Sequence, residues 1–186
     1  MEPVLIGLGV FLLILLAWFA GTYNGLVKTR NHCDESWAGI DTELKRRYDL
    51  IPNLVATVKG YAQHEGETLE AVVRARNAAV ASTGSPESQA RDENALVRSL
   101  RGMLAVVERY PDLKANQNYL ALQVELVNTE DRIQRSRRFY NANVRDLANR
   151  IEAFPSNLVA GMFKFVKREF FEIEEAAQRA VPEVRP

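Results

Sequence analysis

Apolar residues fall along this chain in two regimes. From Val4 to Ala20 they are almost continuous (VLIGLGVFLLILLAWFA), and no charged side chain occurs between Pro3 and Val27. Beyond Val27 they are interrupted by charged and polar residues and recur in series at helical spacing. A bilayer core about 30 Å thick is crossed by about 20 apolar residues in helical form, and inside lipid every backbone polar group has to be satisfied within the segment. The first regime therefore predicts a membrane-spanning helix over residues 1–27. Its lipid-facing anchor residues are Val4, Leu8, Phe11, Leu12, Leu15, Trp18, Phe19 and Tyr23. Trp18 and Tyr23 suit the aromatic belt at an interface. A cleaved leader needs a basic stretch before the run and small residues at a cleavage site. Here Glu2 is acidic and Trp18 is bulky, so an uncleaved anchor is expected.

The second regime predicts helices. Trp37, Ile40, Leu44, Ile51, Leu54 or Val55, Val58 and Tyr61 step mostly by threes and fours. The series Tyr119, Leu122, Leu126, Thr129, Ile133, Ser136, Tyr140, Val144, Leu147, Ile151 and Phe154 does so almost throughout, a heptad-like seam of the kind antiparallel bundles use. No stretch alternates as a strand would. Ser82-Thr83-Gly84-Ser85-Pro86 reads as a loop, with Ser85 as a cap and Pro86 at the first helical position. A second helix is expected from about Glu87 to Arg109, a turn at Tyr110-Pro111-Asp112, and a third helix to about Phe154. A short phenylalanine-rich element follows from Leu158 to Ala177.

Pro52 lies inside the first soluble helix and is expected to kink or break it. At 1.5 Å per residue the three soluble helices would measure roughly 80, 35 and 65 Å. Either Pro52 divides the first into two members of a four-helix bundle, or the long helices overhang the second and leave part of the seam without a partner. The overhang is favoured, and it favours self-association. The fold class expected is all-α: a single transmembrane helix, then an elongated antiparallel three- to four-helix bundle over residues 28–177, then a flexible tail over 178–186.

Charge sets orientation. Lys28 and Arg30 follow the span directly, so the positive-inside rule places the N-terminus outside and the bundle in the cytoplasm, at the inner face of the cell membrane. The chain carries 24 basic and 24 acidic residues, which is not the footprint of a nucleic-acid binder. A single cysteine, Cys33, excludes an internal disulfide and fits a reducing compartment.

Screens for chemistry find no catalytic or metal site and imply no cofactor. His64-Glu65-Gly66-Glu67-Thr68 lacks the second histidine of a zinc-protease motif. His32-Cys33-Asp34-Glu35 holds suitable ligand types, but consecutive helical residues point about 100° apart. Cys33 reads as a small packing residue or an exposed thiol. Three constellations remain. Lys45, Arg46, Arg47 and Asp49 read either as surface charge or as an interhelical polar cluster with Arg137, Arg138, Tyr140 and Asn141, one that fixes register more than it stabilises. Phe163, Phe165, Phe170 and Phe171, with Lys164, Lys167 and Arg168, read either as packing of a last element or as a surface that meets lipid or a neighbouring subunit. Tyr23-Asn24 marks the interface.

The strings YNGLVKTRN (Tyr23–Asn31), WAGIDTELKRRYDLIPNLVATVKGYAQHE (Trp37–Glu65), ENAL (Glu93–Leu96), ERYPDLKANQNYLALQVELVNTEDRI (Glu108–Ile133), RRFYNANV (Arg137–Val144) and IEAFPSNLVA (Ile151–Ala160) together resemble the bacterial LemA family. The resemblance implies a single-span, N-out membrane protein with a cytoplasmic helical bundle, and it implies no reaction. The expected function is a non-enzymatic, membrane-anchored scaffold that self-associates and organises or shapes the membrane. The alternative is a tethered adaptor or sensor that regulates a membrane protease or signalling partner. The partners expected are the lipid bilayer, further copies of the chain and an unidentified membrane protein, with no nucleic acid.

Overall fold

The computed structural model describes residues 2–173, and every regular element among them is a helix. In order these are α1 (Glu2–Tyr61), a 3-10 turn (Gln63–Glu65), α2 (Gly66–Ala81), α3 (Pro86–Val107), α4 (Pro111–Lys114), α5 (Gln117–Glu152) and α6 (Ser156–Met162). The all-α expectation holds, with one long apolar helix at the N-terminal side and packed helices behind it. The chain forms two compact units: residues 2–41 with 135–170, and residues 42–134 with 171–173.

α1 is one helix through both regimes of the sequence. Its first part is long and apolar enough to cross a membrane, and no residue of that most apolar window is buried by the rest of the chain. A helix of a soluble core would be covered there. From Leu26 onward one stripe is buried: Leu26, Thr29, Cys33, Ser36, Ile40, Leu44, Arg47, Ile51, Leu54 and Val58, stepping by threes and fours. The choice between Leu54 and Val55 falls to Leu54.

Pro52 does not divide α1, contrary to one of the two expectations, and the chain breaks instead at Ala62–Glu65. A proline lacks the N–H that would bond the carbonyl four residues earlier. That carbonyl belongs to Tyr48, and Arg76 Nε of α2 donates to it at 3.1 Å. The lost helical bond is replaced by a tertiary one.

Loop chemistry sets the remaining boundaries. Ser85 caps α3, accepting from the Ser88 N–H at 3.4 Å, with Pro86 at the first turn. Ser82 Oγ donates to Asp92 at 2.6 Å and pins the α2–α3 loop. Asn116 caps α5 by accepting from the Tyr119 N–H at 3.0 Å, and its amide donates to the Tyr61 hydroxyl at 2.9 Å. The expected turn at Tyr110–Asp112 is one turn of helix, α4.

The α5 seam is covered within the chain. Tyr119, Leu126, Thr129, Ile133, Tyr140, Val144 and Leu147 are all buried, and only Phe154 at its end stands fully out. The expectation that overhang leaves this seam bare is therefore corrected.

The phenylalanine-rich element is a short helix, α6, followed by an irregular segment to Ile173. Residues 174–177 of that expectation, and the 178–186 tail, lie outside the described residues. α6 closes in a Schellman turn: Phe165 N–H donates to Ala160 O at 2.9 Å and Lys164 N–H to Gly161 O at 3.2 Å. Lys164 occupies the left-handed position, at φ 53°, where glycine is usual.

Candidate functional site

The first unit holds a collar of aromatic and cationic groups at the end of the apolar run. Val159 and Ala160, on the inner face of α6, pack on Leu26 of α1, with Phe19, Tyr23, Ile151 and Phe165 around them. The Phe163 ring lies 5.9 Å from that of Phe19 and 4.5 Å from that of Tyr23. Phe165, turned back by the Schellman geometry, meets Tyr23 edge-on at 6.0 Å and carries the Arg30 guanidinium over its face at 5.4 Å. On another side of the same exit a groove of about 390 Å3 is lined by Trp18, Gly21, Thr22, Leu26, Arg150 and Ser156. Gly25 leaves room for Arg150 to lie on the backbone of α1: a Cβ there would sit 3.2 Å from a guanidinium nitrogen.

Further along this unit the contacts become small and polar. Ser36 Oγ donates to the carbonyls of His32 and Cys33, and Asn143 donates to Ser36 Oγ at 3.2 Å and to His32 O at 3.3 Å. Trp37 packs on Tyr140 at 5.3 Å, whose hydroxyl donates to Glu169 O at 2.9 Å. Arg168 pairs with Asp34 at 2.7 Å, and Lys167 pairs with Glu152. Burial pushes the Cys33 thiol up from its ordinary value, with Asp34 and Asp146 adding to the effect against Arg168. Burial, reinforced by Cys33, pushes Tyr140 up to about 12. A buried thiol held protonated is a packing group and a poor nucleophile. Of its two sequence readings, the buried one is observed.

The second unit holds a buried charge layer. Arg47, fully buried on α1, pairs with Glu93 of α3 and, at 2.8 Å, with Glu130 of α5. Glu93 also accepts from the Tyr48 hydroxyl. Glu93 stands in the buried stripe of α3 with Ala90, Leu96, Leu100 and Met103 around it in sequence. The layer thus ties three helices at one level. Glu93 and Glu130 were not legible as partners, because an acid on a charged helix reads as solvent-facing.

Lys45, Arg46 and Asp49 are exposed beside Arg47. Arg137, Arg138, Tyr140 and Asn141 belong to the first unit, where Tyr140 has the partners given above, so the ion pairs of Arg47 run to Glu93 and Glu130. Of the four phenylalanines, Phe163 and Phe170 are exposed and Phe165 is half-buried. Phe171 is fully buried in the second unit and is a core residue, a correction to its reading as surface. Val4, Leu8, Phe11, Leu12, Leu15 and Trp18 are exposed, as are Lys28 and Arg30; Phe19 and Tyr23 are half-buried beneath the α6 turn. Among the described residues no cluster of three or more His, Cys, Asp or Glu could hold a metal ion. The groove at α6, and a pocket of about 320 Å3 lined by Val55, Lys59, Leu69, Val73 and neighbours, do not include the Arg47 layer.

The LemA family model matches residues 36–185. The chain is 28% identical to Protein LemA of Metamycoplasma hominis over 90% of this chain and 75% of that one. It is 31% identical to Magnetosome protein MamQ 2 of Paramagnetospirillum magneticum over 45% of this chain and 30% of that one. To Magnetosome protein MamQ of Magnetospirillum gryphiswaldense it is 23% identical over 96% of this chain and 76% of that one. None of these names is that of an enzyme.

Proposed function

The chain belongs to the LemA family, and from that membership and the geometry above we propose that it is a non-enzymatic scaffold, fixed in the membrane by α1 and self-associating through its helical bundle. The observation that carries the reading is the division of labour along α1. Its apolar part is left uncovered by the chain, while the stripe beginning at Leu26 is buried. Such a helix joins a lipid-facing stem to a packed bundle. The guanidinium of Arg47 is sealed in the core and serves helix register.

Self-association rests on a second face of α5. Leu120, Val124 and Val127 stand 43%, 58% and 54% exposed, at helical spacing on the side away from the buried seam. Lys28 and Arg30, exposed just past the span, support an orientation with the bundle on the cytoplasmic face of the inner membrane. The test is the mass of the full-length protein in detergent or nanodiscs, by light scattering across a wide concentration range. A multimer that dissociates on Val124→Glu fits the proposal. A monomer at every concentration sinks it, and a monomer that captures one stoichiometric membrane protein turns the reading to a tethered adaptor.

A further inference from the structure

We propose that α6 and the turn after it form a second membrane contact, lying in the lipid interface beside the span. The inference rests on α1 being a bilayer anchor and adds to it a depth that α1 fixes. Phe19 lies inside the continuous apolar run, and Tyr23 lies in the uncharged stretch beyond it. The Phe163 ring touches both, so wherever α1 places Phe19 and Tyr23, it places Phe163 too. Phe19 and Leu26 are about 10 Å apart along the axis at roughly 1.5 Å per residue. α6 is held at the Leu26 end of that interval by Val159 and Ala160, which is the thickness over which interfacial helices sit, about 5–10 Å into the headgroup boundary.

The composition of the element fits that depth. Its inner face is used on α1. Its outer residues Leu158, Met162 and Val166 are 60%, 67% and 73% exposed, an apolar face that water alone would disfavour. Cationic groups ring it: Arg30 over Phe165, Arg150 against Gly25, Lys164 at the turn and Lys167 beyond. Long basic side chains beside an apolar face reach the phosphate level while their stems stay in the acyl boundary. The occupant is lipid, because the patch continues through Phe163 and Phe19 into the uncovered surface of the span.

The test uses the full-length protein in phosphatidylcholine–phosphatidylglycerol vesicles, with and without lipids brominated along the acyl chain. Trp37→Phe leaves Trp18 as the sole reporter of the span. Trp18→Phe/Trp37→Phe/Met162→Trp reports α6, and Val166→Trp in the same background is an independent second reporter. His64→Trp in that background reports an exposed residue of the 3-10 turn. The expected result is quenching of Met162→Trp and Val166→Trp by brominated lipid to a degree comparable with Trp18, with iodide quenching only the His64→Trp protein. If Trp18 is quenched by brominated lipid while both α6 reporters answer to iodide, the inference is overturned and the anchor stands. If the α6 reporters are shielded from both quenchers, a second copy covers the patch, and the inference is again overturned. If Trp18 itself escapes brominated lipid, the anchor fails and the inference with it.

Discussion

The two units are built on the same stripe of α1 with opposite materials. In the first unit the buried positions are Leu26, Thr29, Cys33, Ser36 and Ile40; in the second they are Leu44, Arg47, Ile51, Leu54 and Val58. Small residues whose hydroxyls bond their own helix satisfy themselves, as Thr29 does on Gly25 O and Ser36 on His32 O. They ask little of a partner. The second unit instead buries large aliphatic groups and one guanidinium that must find its carboxylates on other helices. One unit is held by aromatic contacts beside the apolar run and again at Trp37–Tyr140, with small side chains on α1 between them. The other is held by a buried ion-pair layer that joins three helices at one level.

The hardest test of this contrast is Arg47→Ala. It strands Glu93 in the core, and breaking one side of a buried pair costs about 3–5 kcal/mol. Urea unfolding of the detergent-solubilised protein, followed by circular dichroism, should show that loss. Replacing the layer as a whole, with Arg47→Met and Glu93→Leu together, is expected to recover most of it or to exceed the parent. A recovered fold with unchanged stability but mixed oligomers would show that the layer selects register.

Leu26→Ala is the counterpart in the first unit. It removes the α1 contact of Val159 and Ala160 and should cost about 3 kcal/mol, within the usual span for a buried leucine. The same variant should free α6 to protease, while a cut within α3 stays slow. Equal susceptibility at both places would erase the distinction between the units.

A smaller effect separates the units by pH. Tyr140 is held neutral by burial, its value raised from 10.0 to about 12. The folded state then keeps a proton that the unfolded state loses. The contribution of this group is complete below pH 10 and is lost as pH rises from 10 towards 12. Stability should therefore fall over that alkaline window, and Tyr140→Phe should make the fall shallower. Tyr119 in the second unit is raised as well, by burial and then Glu108, so part of the slope must survive the substitution.

The smallest expected change is at Lys164. A left-handed conformation costs a non-glycine residue about 1–2 kcal/mol, and glycine returns part of that as chain entropy in the unfolded state. Lys164→Gly should raise stability by less than about 1 kcal/mol in a thermal melt. A loss instead would mean that the lysine's charge or stem matters to the collar.

Much of this architecture was legible before any coordinates. Periodicity alone located the α5 seam, because every third or fourth residue from Tyr119 to Leu147 has one physical reason to be apolar. Ser85-Pro86 announced its helix start. The failures share a cause. Pro52 was expected to kink or break α1, because the group that replaces its missing bond, Arg76, lies on another helix. Glu93 gave no local sign of its pairing, because its partner is 46 residues away. Phe171 looked like Phe163, since four phenylalanines in one stretch carry no local sign of which is covered. Sequence patterns report the face a residue prefers. They do not report which remote group lets a polar atom or a proline sit where it otherwise would not.

The Arg76–Tyr48 bond also gives the fold a clock. A nascent chain made only as far as Tyr61 has written all of α1, yet the carbonyl of Tyr48 has nothing but water to answer it. The helix through Pro52 is completed only when Arg76, 28 residues downstream of Tyr48, has been synthesised and α2 has turned back. The hydrogen-bond ladder of α1 is thus whole only in the folded unit, where α2 closes the gap that the proline left open.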